Sequence, residues 1–275
     1  MNVEKMRFGF GSNWNNYSKG IGFSEIEIAE NSLKDLLGVQ SLKGKSFLDI
    51  GSGSGLFSLA ARNLGASVFS FDYDVNSVKC TSNLKEKYYK DDASWTIERG
   101  SVLDSQFMSK LSQFDYVYSW GVLHHTGDMW KAFDLIIPSC RSGSILTIAI
   151  YNDQGGESAR WLLIKKIYNK LPLLFKPLWV FSTMFPLFLK GMFLLSLKGI
   201  FLKFNPLYYL KSLQYNQRGM SRWYDWVDWV GGYPFEVAKP EDIFDFFRKH
   251  DFELIRLKTC RGGLGCNEFV FLKKD

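Results

Sequence analysis

Three small groups of residues in this 275-residue chain have types and spacings suited to chemistry. The first is Asp49-Ile50-Gly51-Ser52-Gly53-Ser54-Gly55, glycines alternating directly after a short apolar run, Phe47 to Ile50. Such a corner permits a tight turn and lets the backbone approach a ligand at the start of the next helix. The third glycine comes one place earlier than in G-x-G-x-x-G, which argues against a pyrophosphate ligand. About twenty residues on, Asp72 closes the next strand, where a carboxylate can accept from both hydroxyls of a ribose. The second group is the adjacent pair His124 and His125, two of only three histidines. A neutral imidazole, with an ordinary pKa near ~6.5, suits proton removal from an oxygen or nitrogen nucleophile. The alternative for each is that it packs beneath the ligand and hydrogen-bonds the backbone. The third group is Trp223, Tyr224, Trp226, Trp229 and Tyr233, interleaved with Asp225 and Asp228. Its rings could stack on an acceptor with Asp225 as a second base, or Trp223, Trp226 and Val230 are simply one face of a helix.

The elements that would position these groups alternate. Phe47–Ile50 reads as a strand and GLFSLAARNLG as a helix; SVFSFDYD, SWTIERGSVLD, FDYVYSWGVLHH and SILTIAIYND read as further strands. Strands and helices in this rhythm imply parallel βαβ units in a sheet covered on both faces. Ile26, Ala29, Leu33, Leu36 and Leu37 form a helical stripe ended by Gly38, with Ile28 off it. After Glu241 a helix and two strands close the chain; a glycine-rich turn between them makes the last strand antiparallel. Tyr151, Asn152 and Asp153 end the fifth strand on the ligand-binding edge, where they either orient an acceptor or turn the chain. His250 reads as a helix-end residue.

These motifs resemble the class I S-adenosylmethionine-dependent methyltransferases, over roughly 42–151 and 240–273. The resemblance implies a Rossmann-like α/β fold, a seven-stranded mostly parallel sheet with an antiparallel last strand. It implies S-adenosyl-L-methionine as cofactor, with Asp49, Gly51, Ser52, Gly53 and Gly55 around its methionine part. It further implies Asp72 on the ribose, Tyr73 beside the adenine, and Ser101 and Val102 at the adenine edge. Many relatives have Asp where this chain has Ser101. Trp120 through His125 would lie next to the methyl group. On this reading His125, His124 and Asp225 are the catalytic candidates; Tyr151, Asn152, Trp223 and Trp226 are the substrate candidates. No metal site is expected. The whole chain also resembles a bacterial group of methyltransferases whose substrate is unassigned.

The organisation expected is an amino-terminal arm and helix (1–41), a cofactor domain (42–150 and 240–275) and a helical insertion (151–239). Charge sets the insertion apart. The chain carries +6 overall, yet residues 158–224 hold eleven Lys and Arg and no acid, leaving −5 elsewhere. Within it, Lys176–Phe204 is almost wholly apolar or aromatic, interrupted by Pro177 and Pro186. Its longest charge-free run, Pro177–Leu189, is thirteen residues, short of the ~20 that a span requires. Two readings remain: a substrate lid with aromatics in its core, or an element in the interface of an anionic membrane. The expected activity is methyl transfer to an oxygen or nitrogen of a small or lipid-linked acceptor, a quinone-type ring or a glycan-lipid. Transfer of another group, RNA modification and a non-catalytic regulator are the alternatives. A basic segment richer in Leu and Phe than in Arg argues against nucleic acid. Four scattered cysteines and an apolar-poor start imply a cytoplasmic setting, or a peripheral one on the inner face of the membrane.

Overall fold

Ser46–Ile50 forms strand β1, four of its five residues buried, and it is an interior strand, third of seven in the sheet. The structure, a computed structural model, describes residues 7–11, 14, 21–202 and 222–275. Successive β1 side chains serve opposite layers. Phe47 joins Leu33, Leu59 and Val68 on one face, and Leu48 joins Phe133, Ile148 and Phe271 on the other. That two-residue period lets a central parallel strand be apolar throughout. The other strands are β2 (Ser67–Asp72), β3 (Trp95–Arg99), β4 (Phe114–Trp120), β5 (Cys140–Tyr151), β6 (Phe252–Lys258) and β7 (Cys266–Lys273). Their order is β3-β2-β1-β4-β5-β7-β6, with β7 antiparallel to both neighbours, as the glycine-rich hairpin predicts.

Helix α1 (Phe23–Leu37) buries the five stripe residues and leaves Ile28 exposed; Gly38 ends it in the left-handed region. Next come α2 (Leu56–Asn63), α3 (Val75–Tyr88) and the single turn α4 (Ser105–Met108). Helix α5 (Met129–Ile136) was not foreseen. Asp128 caps it, and Met129, Ala132, Phe133 and Ile136 are buried. Eight residues between two loops are too short for the periodicity to stand out. Helix α9 (Pro240–Lys249) precedes β6, and His250 ends it with its Nδ1 at 2.8 Å from the Phe246 carbonyl.

The chain divides into two compact units. One holds residues 9–158 and 234–275; the other holds 159–233 and the stretch through Phe8. The sequence places the insertion at 151–239, but both of its flanks bond within the sheet unit. Asn152 N–H donates to Gly265 O (2.9 Å), Asp153 N–H to Ala238 O (3.1 Å) and Ala238 N–H to Tyr151 O (3.1 Å).

The second unit contains α6 (Gly156–Lys170, which begins in the sheet unit), a 3₁₀ turn (Leu173–Phe175), α7 (Lys176–Leu202) and α8 (Arg222–Gly231). Two readings need correction. Pro186 does not interrupt the apolar passage; α7 runs through it. Pro186 has no N–H to donate, so only the carbonyl four residues earlier goes without its usual helical donor, and the rest of the helix continues. Lys165, counted with the surface basic residues, is 1% exposed. Its ammonium donates to the Trp229 carbonyl and lies 5.4 Å from that ring's centre. Burial pulls its pKa down to about 7, against the opposing charge of Asp228.

Candidate active site

The corner after β1 is shaped by what surrounds it. Gly51 has φ +78°, and a Cβ there would lie 2.4 Å from Val122 Cγ1. Its amide and that of Ser52 donate to Phe71 O at 2.8 and 3.1 Å, fastening the turn to β2. Gly55 has φ +81°, and a Cβ would meet the Thr81 backbone at 2.7 Å. Only glycine satisfies both the left-handed backbone and the close approach. Ser52 Oγ lies 2.9 Å from Thr81 Oγ1 in the interior, so its hydroxyl locks the corner to α3.

The corner and the acid one strand later are in direct contact. Gly53 N–H donates to one oxygen of Asp72 (3.0 Å), and Asp74 N–H donates to the other (2.8 Å). A carboxylate offers about four acceptor positions, so two remain for a diol. Burial raises the Asp72 carboxyl to about 6, with the two amide bonds pulling the other way. Tyr73, next along the chain, is exposed.

Asp49 sits behind the corner. It is 3% exposed and its carboxyl accepts from Ser58 Oγ inside the layer between sheet and α2. Ser58 Oγ is 2.7 Å from Ser70 Oγ, which accepts from Trp95 Nε1 at 3.0 Å. An indole can only donate and a carboxylate only accepts, so the chain has one direction: Trp95 to Ser70 to Ser58 to Asp49. Burial, chiefly, raises the Asp49 carboxyl to about 7. Asp49 therefore supports the corner from within. The adenine-edge segment is similarly divided. Val102 is committed to the core, so Ser101 and the backbone are what this segment presents. Gly100 N–H donates to Asp72 O at 3.1 Å and holds the segment against β2.

The histidine pair occupies the 3₁₀ turn Leu123–His125 beyond β4. The two rings have different surroundings. His124 is fully buried, its ring centre 3.9 Å from that of Tyr151 and its Nδ1 3.4 Å from the Tyr151 amide. That fits the packing alternative. His125 is partly exposed, and its Nδ1 lies 2.6 Å from the Pro234 carbonyl. A carbonyl only accepts, so Nδ1 carries the proton and Nε2 is the accepting nitrogen of the neutral ring. Phe10 (4.8 Å), His124 (4.5 Å) and Tyr151 (5.4 Å, perpendicular) frame the imidazole.

Sequence reasoning missed what holds this turn. Residues 234–238 run alongside it. Glu236 N–H donates to His124 O (2.9 Å), while its carboxylate accepts from Gly127 N (2.9 Å) and Met129 N (3.0 Å). Glu236 thus both pins the histidine turn and satisfies the first amide of α5 together with that of Gly127 just before it. Also missed were Phe10 and Trp14 of the arm. Gly11 N–H donates to Asp74 Oδ2 (3.0 Å), and the Trp14 ring lies 3.3 Å from where a Gly53 Cβ would be. The arm is visibly aromatic in sequence, but nothing local says what it covers.

Among the other substrate candidates, Tyr151 stands against both histidines, whereas Asn152 has its Oδ1 occupied by Asn267 Nδ2 (3.0 Å). Trp120 packs partly buried against the core. Trp223 and Trp226 belong to α8 of the other unit, Trp223 exposed and Trp226 6.0 Å from Phe188. The Asp225 side chain lies outside the described residues. Among the described residues no group of three or more His, Cys, Asp or Glu is placed to hold a metal.

Comparison with known proteins agrees with this geometry. The family "Methyltransferase domain" matches residues 27–182. Two curated ribosomal protein L11 methyltransferases share shorter stretches. That of Helicobacter hepaticus is 38% identical over 72 residues (26% of this chain, 22% of its own length). That of Prochlorococcus marinus is 34% identical over 130 residues (44% and 40%). The chain thus spans well under half the length of either. Among solved structures, a methyltransferase in complex with the Haloferax volcanii activator Trm112 superposes with TM-score 0.55 at 12% identity, covering 98% of this chain and 99% of that one. A SAM-dependent methyltransferase from Anabaena variabilis gives 0.52 at 11%, covering 100% and 96%. The Synechocystis magnesium protoporphyrin IX methyltransferase with bound SAM gives 0.51 at 11%, covering 90% and 79%. At such identities these structures speak for the fold. The site fits the cofactor: a corner whose Gly51 and Gly55 have no room for side chains, and a half-buried carboxylate with acceptor capacity left for a ribose. The match over more than half the sequence, on a fold built for that nucleoside, makes this chain a member of the class I S-adenosylmethionine-dependent methyltransferase family, with S-adenosylmethionine as its cofactor.

Proposed function

We propose that this protein transfers the methyl group of S-adenosylmethionine to an oxygen or nitrogen of a small or lipid-linked acceptor, with His125 as the base. The single observation that carries the reading is the His125–Pro234 hydrogen bond. It supports this reading because Nδ1 is the donor, so in the neutral ring the accepting nitrogen is Nε2, as a base requires. When bound, the cofactor supplies a methyl group already made electrophilic by its sulfonium. The chain's own work is then to hold, orient and deprotonate. Asp72, itself held by the amide of Gly53, holds the nucleoside. Phe10 and Tyr151 limit water around the imidazole, where alignment of the nucleophile is worth roughly 7–11 kcal/mol. Nε2 of His125 takes the acceptor's proton.

The acceptor class is narrowed by composition. The likeness to enzymes of ribosomal protein L11 covers 26% and 44% of this chain, which does not carry their acceptor over. A quinone-type ring or a glycan-lipid better suits a chain with an exposed apolar, acid-free helix, working at the inner face of a membrane. Kinetics of His125→Ala test the base. Turnover falls about 10²- to 10⁴-fold, while calorimetry gives an adenosylhomocysteine affinity within about twofold of wild type. If cofactor affinity is lost together with turnover, His125 is a structural residue and the reading fails.

A further inference from the structure

Helix α7 is the least ordinary surface of this molecule. The stretch Leu173–Leu194 has a mean hydropathy of 1.4 and is only 6% buried. Leu173 (81%) and Leu174 (83%) are almost bare, and Leu178, Phe181, Leu189 and Phe193 are exposed behind them. The helix has its own internal face. Lys176 lies over the Tyr168 ring, Trp179 Nε1–H donates to Ile164 O (3.3 Å), and Phe188 meets Trp226. What remains exposed is therefore the outer surface of a packed helix, and it is apolar. Soluble helices put their polar side there.

Charge identifies the occupant. Residues 158–224 contain no acid, and in Leu173–Leu194 the only charges are Lys176 and Lys190. A second copy of this helix would bring like charge against like charge across an isologous contact. An anionic bilayer complements both features at once: its acyl region takes leucine and phenylalanine, and its headgroups take lysine and arginine. Lys176 and Lys190 are separated by about 21 Å along the axis, less than the ~30 Å hydrocarbon core. A transverse helix would carry one of them into hydrocarbon, whereas a helix lying in the interface leaves the exposed Lys190 at headgroup level.

We infer that α7, together with the 3₁₀ turn before it, is a membrane-docking element that lies in the interface of an anionic lipid bilayer, with Leu173 and Leu174 of the turn and Leu178, Phe181 and Phe193 of the helix in the acyl boundary. For the acceptor, this deepens the lipid-linked reading above and rests on it; the docking itself does not. The consequence would be that an acceptor carried on lipid is presented at the surface where the enzyme resides.

The test is flotation of the full-length chain with phosphatidylcholine vesicles and with phosphatidylcholine–phosphatidylglycerol vesicles, across a salt series. Thermal shift with adenosylhomocysteine is run in parallel on every variant. Wild type is expected to float with anionic vesicles far better than with neutral ones, and less as salt rises. Leu178→Asp with Phe193→Asp should abolish flotation with the adenosylhomocysteine shift unchanged, and Lys190→Gln should weaken binding about fivefold. No flotation of wild type with anionic vesicles overturns the proposal, as does equal flotation by the double variant. A wild-type dimer in light scattering that the double variant dissolves would assign this face to a second copy instead. Loss of the adenosylhomocysteine shift in wild type would overturn the cofactor reading and leave docking standing.

Discussion

The glycine corner and helix α7 invert each other's chemistry. Around the corner, polar groups are buried and every step is directed: Trp95, Ser70, Ser58 and Asp49 pass hydrogen bonds one way, and Asp72 takes an amide on each oxygen. On α7, apolar groups are exposed, and the only charges among its described residues are positive. Buried polarity is costly unless satisfied, and exposed apolarity wastes the main driving force of folding. A chain carries such features where something other than stability is selected. At the corner that something is a cofactor; on α7 the proposed answer is lipid.

The contrast breaks most readily at Gly55. Gly55→Ala places a Cβ 2.7 Å from the Thr81 backbone at φ +81°, a clash that no side-chain rotation relieves. Strain and overpacking together should cost about 3 kcal/mol. Calorimetric unfolding of the variant, with and without adenosylhomocysteine, checks both the stability and the lost ligand shift. A wild-type Tm would mean that the corner is softer than its contacts imply.

Glu236→Ala comes next. It removes the acceptor for Gly127 N and Met129 N, which should cost about 2 kcal/mol of stability and loosen the turn that carries His125. Because Glu236 acts through that turn, kcat should fall about tenfold with adenosylhomocysteine affinity unchanged, and Glu236→Gln should recover part of the loss. If Glu236→Ala lowers Tm while kcat holds, Glu236 only caps α5.

Ionisation sharpens the comparison further. Asp72 is raised to about 6 and Asp49 to about 7, both chiefly by burial. For a raised carboxyl, the contribution to ligand-free stability is full below about 3.8 and is lost as pH rises through the folded value. Ligand binding runs the opposite way, since the ionised Asp72 is the form that accepts two hydroxyls. Adenosylhomocysteine affinity should therefore weaken about tenfold per pH unit below about 6, with proton release seen by calorimetry in buffers of different ionisation heat. Asp72→Asn should bind weakly and lose that pH dependence.

These contrasts also explain what was legible in the sequence. The glycine corner, Asp72 and the antiparallel ending depend on local spacing, and the structure reproduces each. The α1 stripe was read to the residue because a 3.6 period over fifteen positions is redundant. The role of Asp49 was not legible, since its partners come from α2, β2 and β3 and only tertiary approach joins them. Glu236 is separated from the turn it pins by more than a hundred positions, and Phe10 from His125 by a similar stretch. Lys165 looked like surface charge because composition counts residues without locating them. Pro186 looked like a break because its local cost is real, although a long helix can absorb one missing bond.

The smallest expected effect tests the α7 side of the comparison. If Leu173 and Leu174 are as exposed as they stand, they contribute nothing to folding of the free chain. Leu173→Gln with Leu174→Gln should then move stability by less than about 0.5 kcal/mol, as for ordinary surface positions, and solubility should rise. A core position treated the same way, such as Leu48→Ala beneath the corner, should cost about 2–5 kcal/mol. Parallel denaturant titrations of the two variants decide the matter. A loss of 2 kcal/mol or more from the leucine pair would mean that this chain already covers that face itself, and the bilayer would no longer be needed to explain it.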